Sequence, residues 1–472
     1  MATKHSFDNS SLYANGTKTP PESIDSAISM HSYNSDYDAR STGQASIGQV
    51  MDKPSDHEAA IAEELAATER ANSEDTSMTS KILMFLGVLK KFVGVKDIGT
   101  VRISLPSQLL EPIGNLEYWN YNDRPDYFAC LADPDDPLER MLGVIRWWYS
   151  KDLKYVPYNS ILGEQFYCHW DVTPPKFNPD GSIAEQIWTS DSKGDANQKA
   201  SGKTVRVTCL NEQISHHPPV SAFFYDCEEK GVQVCGIDHI TARFTGTSVK
   251  LGPGDENKGI YVTLRTRDNE EYLLTHPWAS VNGWLKANLY VTVSEHCVIT
   301  CPKTGLKAIL EYKDEKWLGK ARFAIEGKVF SYDPANDEIT KLKHVPQNKV
   351  CATIDGSWRG QIKATYMDTK KESVLVDMNM IECIPKTVAP IEHQGEFESR
   401  KVWQSVTMAI HAKDYSRATK SKIAIEERQR QRAAERKTRG EDFEPVFFKV
   451  PVKNGKPELK VTGVEKVKGL AS

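Results

Sequence analysis

The chain has 472 residues, of which 39% are hydrophobic and 26% are charged, and its mean hydropathy is −0.51. A formal net charge of −4 and a pI near 6.3 argue against the strong positive field that nucleic-acid-binding proteins carry. The nine cysteines have no metal-ligand or disulfide-framework spacing, so we expect reduced thiols, no metal and no cofactor. We also expect no secretory signal and no membrane span, because no run approaches about 20 apolar residues.

Residues 1–78 have the composition of a disordered tail, rich in Ser, Asp, Asn and Ala and poor in large apolar side chains. The following segment, residues 79–100, has apolar residues at helical spacing, with Lys91 on the opposite face and Lys90 beside it in sequence. This pattern fits either an ordinary core helix or an amphipathic segment that touches a bilayer. Its apolar face consists of Ile82, Phe85, Leu86, Leu89, Phe92 and Val93.

A second helix is predicted over residues 138–154, within a helical segment at 101–160. An Asp-Pro pair at residues 136–137 favours a helix start, because Pro is tolerated in the first turn. The apolar residues follow one stripe, so Arg140, Arg146 and Lys151 are predicted to face solvent.

From about residue 166 to about residue 377 the sequence alternates short apolar runs with turn residues. Strands at this spacing, without interleaved helices, predict an antiparallel meander, and a long meander removes its edges by closing on itself. So wide a barrel can enclose a ligand, although a β-sandwich with a solid core remains the alternative. Asp355-Gly356 is typical of a tight hairpin turn between two such strands.

The stretch 212–219, Glu-Gln-Ile-Ser-His-His-Pro-Pro, follows an alternating run at 205–210 that predicts a strand. The two prolines remove backbone donors, so regular pairing should stop beside His216 and His217. An imidazole can carry a proton near neutral pH, so the pair can bind a phosphate. Adjacent strand residues point to opposite faces, which makes the pair a poor metal chelate. The other interpretation is a purely structural pair that caps the strand.

The nearby serines, Ser215 and Ser221, lack the Gly-x-Ser-x-Gly elbow of a hydrolase nucleophile, so no catalytic residue is predicted. A long helix is predicted over residues 412–439. On it Lys422, Glu426 and Arg430 stand one turn apart on a single face, a pattern that is also typical of solvated salt bridges.

The string at 212–219 resembles the fingerprint of the oxysterol-binding protein family of lipid-transfer proteins. Residues 157–164, Pro-Tyr-Asn-Ser-Ile-Leu-Gly-Glu, are similar to that family's Lys-Pro-x-Asn-x-x-x-Gly-Glu motif, with Val156 in place of the Lys. The Leu-Pro-Ser at 105–107 is similar to the branch that exchanges phosphatidylserine against phosphatidylinositol 4-phosphate. The likeness covers about residue 80 to about residue 450.

The resemblance implies a mainly β fold: a large antiparallel incomplete β-barrel that encloses a lipid tunnel, with an N-terminal lid and a C-terminal helical subdomain. The expected divisions are a tail at 1–78, an amphipathic lid at 79–100, a helical segment at 101–160, a barrel at 161–395 and a helical subdomain and tail at 396–472. Under this interpretation the apolar face at residues 82–93 covers the tunnel.

The resemblance also implies the ligand contacts. The phosphoinositide head group would be bound by His216, His217, Lys422, Glu426 and Arg430, with Lys154 replacing the Lys that is missing at position 156. The head group of the second lipid would be contacted by Leu105, Ser107 and Asn159.

The function implied is exchange of phosphatidylserine against phosphatidylinositol 4-phosphate, without catalysis, at contact sites between endoplasmic reticulum and plasma membrane. A sterol carrier, a phosphoinositide sensor or scaffold without transport, and a lipid hydrolase are the alternatives. The expected partners are membrane lipids, anionic membrane surfaces touched transiently, and a tether protein, with no nucleic acid.

Overall fold

Antiparallel strands form the central sheet of the computed structural model, which describes residues 107, 110–151, 158–176, 203–245, 248–282, 290–313 and 323–471. They are β1 Gln165–Val172, β2 Val205–His216, β3 Pro219–Cys227, β4 Val232–Phe244, β5 Val249–Pro253, β6 Ile260–Leu264, β7 Glu270–Leu274, β8 Trp278–Asn282, β9 Tyr290–Cys301, β10 Leu306–Tyr312, β11 Ala324–Ser331, β12 Val350–Ser357, β13 Gln361–Tyr366 and β14 Glu372–Asp377.

These fourteen strands form one sheet, and the order along its main path follows the chain. Between β4 and β9 the sheet divides into two routes, one through β5 and β8 and the other through β6 and β7. Every ladder in it is antiparallel. The predicted antiparallel meander is therefore confirmed.

The outer edge of β1 is covered by the chain that follows β14. His169 and Thr387 exchange backbone hydrogen bonds of 3.1 and 2.8 Å, and the N–H of Gln165 donates to the carbonyl of Phe397 at 2.8 Å. An exposed strand edge is a template for aggregation, so this segment protects the sheet where strand β14 does not reach β1.

The helices lie before and after the sheet in sequence. They are α1 Asn115–Tyr118, α2 Pro125–Ala129, α3 Pro137–Tyr149, α4 Ser399–Val402, α5 Gln404–His411, α6 Tyr415–Arg439 and α7 Val461–Ala471. Short 3-10 turns occupy Glu228–Lys230, Arg265–Arg267, Leu342–His344, Gln347–Lys349 and Ile391–His393. No helix among these is both long enough and apolar enough to cross a membrane.

Helix α3 packs its apolar face into the main core, where Met141, Leu142 and Ile145 are fully buried. It begins as predicted, with the side chain of Asp136 accepting from the N–H of Leu138 at 2.9 Å, and it ends five residues earlier than expected.

The prediction that the basic residues of this segment face solvent is wrong. Arg140 and Arg146 are buried, and Lys151 is half-buried. Arg140 forms a bidentate pair with Glu270 of β7, at 2.8 and 2.6 Å, and Nε of Arg146 donates to the carbonyl of Leu375 at 2.8 Å. Helix periodicity cannot show that polar partners more than a hundred residues away cover this face.

The predicted hairpin turn at Asp355-Gly356 is also wrong, because β12 continues through both residues. Gly356 pairs with Ile325 on one side and with Ile362 on the other. Its φ is +135°, and a Cβ atom there would lie 2.2 Å from the carbonyl oxygen of Gln361. The glycine therefore permits close approach of two strands inside the sheet instead of a reversal.

Candidate functional site

The two adjacent histidines lie at a sharp reversal between β2 and β3. His216 is the last residue of β2 and pairs with Pro219, so pairing resumes after only two residues, His217 and Pro218. The imidazole centroids are 4.6 Å apart, with the rings inclined at 61°. The expectation of opposite faces is wrong, because His217 lies beyond the strand and does not follow its alternation.

The ring of His216 is oriented by a backbone carbonyl. Its Nδ1 lies 3.1 Å from the carbonyl oxygen of Ser160. A carbonyl only accepts, so Nδ1 carries a hydrogen, and the other ring nitrogen, Nε2, becomes a donor only when the ring is protonated. His216 is half-buried and His217 is exposed. The turn can therefore present cationic donors to an anion at the surface.

Two buried carboxylates hold the backbone around this turn. Glu164 accepts from the N–H of Ile161 at 3.0 Å, from the indole of Trp403 at 3.0 Å and from the hydroxyl of Ser399. Burial raises the pKa of Glu164, and the donors oppose that shift. The backbone N–H of Gln213 donates to the carbonyl of Glu164 at 2.8 Å, which joins this loop to β2.

The other carboxylate, Glu212, anchors the C-terminal segment to β2. Its two oxygens accept from the backbone N–H groups of Val446 and Phe447 at 2.6 and 2.8 Å. Burial raises the pKa of Glu212, and these N–H groups oppose the shift. The residue thus acts in the structure as a backbone clamp.

A small apolar cluster links the loop before β1 to the C-terminal helices. Tyr158 stacks on Trp403 with centroids 4.8 Å apart, and Ile161 belongs to the same cluster. From α6, Ala418 is buried in it and Ile425 packs against it. The loop that orients His216 is therefore packed against the helix that carries the predicted cationic residues.

The predicted triplet on α6 runs from the interior of the protein to its surface. Lys422 is buried, with 5% of its surface exposed, Glu426 is half-buried and Arg430 is exposed. Nε of Arg430 lies 2.9 Å from an oxygen of Glu427, one turn away. The spacing was predicted correctly, and the structure adds that the three positions differ in their access to water.

Of the residues predicted to contact the second lipid, Asn159 is exposed directly beside the loop that holds His216. Ser107 is fully buried, and its hydroxyl lies 3.1 Å from that of Thr419 on α6, one turn before Lys422. Leu105, Lys154 and the six apolar lid residues between 82 and 93 lie outside the described residues. Their assignments stay predictions.

Sequence reasoning gave no role to Glu164, Glu212, Trp403 or Thr419. The two glutamates stand inside the motifs that carried the family resemblance, and that position was the available signal. Glu164 contacts Ser399 and Trp403, and Glu212 contacts Val446 and Phe447. Each of these partners is at least 234 residues away in the chain, so the contacts cannot be read from the sequence. In the described ranges no group of three or more His, Cys, Asp or Glu side chains can hold a metal ion.

Comparison with known proteins decides the family. The family model described as oxysterol-binding protein matches residues 84–415. An oxysterol-binding protein-like protein 1 from Schizosaccharomyces pombe is 41% identical, over 81% of this chain and 90% of the relative. The chain belongs to the oxysterol-binding protein family.

Two solved structures and a second relative were also compared with the chain. Oxysterol-binding protein-related protein 9 from Mus musculus is 32% identical over 74% of this chain, and the match spans 44% of the mouse protein. Among solved structures, the Osh1 ORD domain in complex with cholesterol covers 87% of this chain and 96% of its own, with a TM-score of 0.54 and 18% identity. The match to the Osh3 ORD in complex with PI(4)P from Saccharomyces cerevisiae covers 81% of this chain and 92% of the Osh3 chain, with a TM-score of 0.55 and 17% identity. These likenesses support the barrel fold.

Proposed function

We propose that this chain is a lipid-transfer protein that exchanges phosphatidylserine against phosphatidylinositol 4-phosphate between membranes. The observation that carries the proposal is the His216–His217 turn. The carbonyl of Ser160 orients His216, and the loop that contains Ser160 packs against the helix that carries Lys422. Imidazolium and ammonium groups at such a place bind a phosphate monoester through charge-assisted hydrogen bonds. The solved Osh3 relative in complex with PI(4)P supports the choice of anion.

The barrel would hold the acyl chains of the lipid while the head group is bound at the surface. Acyl chains leave a bilayer only for an apolar environment, because each exposed CH₂ costs about 0.8 kcal/mol in water. A barrel can shield two chains from water better than a surface groove, which leaves them partly wet. A single interior that accepts one lipid at a time makes the two cargoes compete, so uptake of one requires release of the other.

We propose separate roles for the two described residues among the phosphatidylserine contacts. The hydroxyl of Ser107 is buried against Thr419, so we assign to Ser107 the positioning of its own segment. The exposed amide of Asn159 is then the polar group that meets a serine head group. We place the exchange at contacts between endoplasmic reticulum and plasma membrane, with transient binding to anionic bilayers and with a tether protein as partner.

A liposome-to-liposome transfer assay tests the proposal. His216→Ala with His217→Ala should reduce extraction of phosphatidylinositol 4-phosphate by about tenfold or more, because each charge-assisted hydrogen bond contributes about 1.5–3 kcal/mol. Transfer of phosphatidylserine should persist. Equal loss of both lipids in a folded variant would contradict the head-group assignment, and binding without transfer would identify a sensor or scaffold.

A sterol is the second candidate cargo. Solved structures of similar fold contain cholesterol and ergosterol. Native mass spectrometry of the protein extracted from cells would separate sterol from phosphatidylserine by ligand mass. Release of a hydrolysed product from either phospholipid would instead reveal an enzyme.

A further inference from the structure

An irregularity in the pairing of β2 with β3 lies just before the histidine turn. Gln213 is opposite Ser221, whereas Ser215 is opposite Val220, so Ile214 is an extra residue in β2 and forms a β-bulge. A bulge of one residue moves every later side chain of its strand to the other face of the sheet. The side chains of the histidine turn follow directly after this point.

The bulge decides on which face of the sheet His216 lies. Residues directly opposite each other in an antiparallel pair share a face. On β3, Phe223 belongs to the main core, whereas Val220 belongs to the cluster that contains the C-terminal segment. Strand alternation therefore places Pro219 on the face of the main core, together with His216, which is opposite it. Without the extra residue, alternation from Gln213 would place His216 on the other face.

The main chain of Gln213 holds the loop that orients the ring of His216. Its N–H donates to the carbonyl of Glu164 at 2.8 Å, and its carbonyl accepts from the N–H of Gly163 at 2.9 Å. The carbonyl of Ser160 in the same loop lies 3.1 Å from Nδ1 of His216. The hydrogen-bond partner of the ring is thus joined to β2 at the residue where the bulge begins.

The side chain of Gln213 supports the bulge itself. It is 1% exposed, and its Nε2 donates to the carbonyl of Ser215 at 2.7 Å. The hydroxyl of Ser215 donates in turn to the carbonyl of Pro218 at 2.8 Å. A bulge interrupts the ladder of backbone hydrogen bonds, and side-chain donors supply partners for backbone groups there. Within the described ranges nothing donates to Oε1 of Gln213, so the contribution of this amide is its N–H.

We propose that Gln213 is a positioning residue of the phosphate site and acts through His216. The inference rests on the proposed function, because it requires the phosphate monoester of an inositide to bind at the histidine turn. The amide of Gln213 holds the carbonyl of Ser215, and the bulge keeps His216 on the face where the carbonyl of Ser160 orients its ring. Without the amide the bulge can relax, and the ring loses its fixed direction towards the anion.

A double-mutant cycle with His216 tests this dependence. Gln213→Met keeps the approximate length of the side chain and removes the donor. Extraction of phosphatidylinositol 4-phosphate from vesicles by the full chain should fall by about three- to tenfold, which corresponds to the loss of one neutral hydrogen bond. In a His216→Ala background the same substitution should cause no further loss, because the ring that it positions is absent. Transfer of phosphatidylserine should persist in Gln213→Met.

Gln394→Met is the matched control. Gln394 is 4% exposed, and its Nε2 donates to the carbonyl of Ala389 at 2.6 Å, so the substitution removes a buried bond of the same kind outside the histidine turn. Its Oε1 also accepts from the N–H of Lys401, so the change disturbs folding at least as much. Extraction of the inositide should nevertheless stay at the level of the unaltered chain.

Four results would overturn the inference while leaving lipid transfer in place. They are unchanged extraction by Gln213→Met, an equal loss with and without the ring of His216, an equal loss of both lipids in Gln213→Met, and a comparable loss in Gln394→Met. The second would give Gln213 a role of its own, and the last two would indicate general structural damage. Failure of the unaltered chain to extract the inositide would refute the proposed function and the phosphate site with it.

Discussion

At the scale of single residues, several side chains have roles that their type alone does not indicate. Glu212 belongs to a stretch that sequence analysis associates with ligand binding, yet its carboxylate is used by two backbone N–H groups of the C-terminal segment. Gly356 belongs to a turn-like pair, yet it lies within a strand. In both cases the role is set by backbone atoms that approach from elsewhere in the chain.

Gly356→Ala should lower the free energy of unfolding by about 2 kcal/mol or more. A Cβ atom 2.2 Å from the Gln361 oxygen forces β12 and β13 apart, and φ of +135° is strained for alanine. Urea denaturation measures the change. Gly469→Ala in α7 is the matched control, because nothing lies within 4 Å of its Cβ position. There alanine should be neutral or stabilising by up to about 1 kcal/mol; equal effects at both sites would refute the close-approach argument.

At the scale of elements, α3 shows which part of a helix can be anticipated. Its start at an Asp-Pro pair and its apolar stripe follow from local chemistry, and both were predicted. The polar face was misassigned because Glu270 and Leu375 reach it from strands β7 and β14. The strand run was predictable for the same reason as the helix start, since alternation and turn residues are local. The division of the sheet between β4 and β9 could not be predicted, because it depends on the register of strands that are distant in sequence.

The Arg140–Glu270 pair should stabilise the contact of α3 with β7. Both side chains are buried, so removing one leaves a desolvated charge, and Arg140→Leu or Glu270→Leu should each cost about 3–5 kcal/mol. The double variant should cost less than the sum, because no lone charge remains. A double-mutant cycle in denaturant measures this coupling. Additive losses would show that the two residues act independently.

The gradient of exposure along α6 predicts unequal contributions from its cations. Lys422→Ala should reduce transfer of phosphatidylinositol 4-phosphate by about tenfold or more, because a charge-assisted contact shielded from water is strong. Arg430→Ala should reduce it only a few-fold, since that side chain is exposed and already adjoins Glu427. Lys420→Ala, an exposed cation on the same helix, is the control. A larger effect at Arg430 than at Lys422 would reverse this ranking.

At the scale of the whole molecule, the candidate head-group site is assembled from segments that are distant in sequence. The histidine turn, the loop at 158–164 and α6 were each recognisable from the family motifs, and the fold they implied is confirmed. How they are joined was not recognisable, because the links are Ser160 to His216, Tyr158 to Trp403 and Ser107 to Thr419. Each link pairs ordinary residue types whose proximity is created only by the folded sheet.

The C-terminal helix should support the site from outside the barrel. Val467 of α7 is buried against Phe447, Phe448 and residues of β2 and β3, and β2 ends at His216. Val467→Asp places a charge in that apolar contact, so the free energy of unfolding should fall by about 2–4 kcal/mol and inositide binding should weaken with it. Val464→Asp makes the same chemical change one turn earlier, at a residue that is 40% exposed, and should shift stability by less than about 0.5 kcal/mol. Thermal unfolding and inositide binding should be measured on both variants. If α7 supports the β2–β3 turn, only Val467→Asp should lose stability and inositide binding. A general effect of added charge would alter the two variants equally.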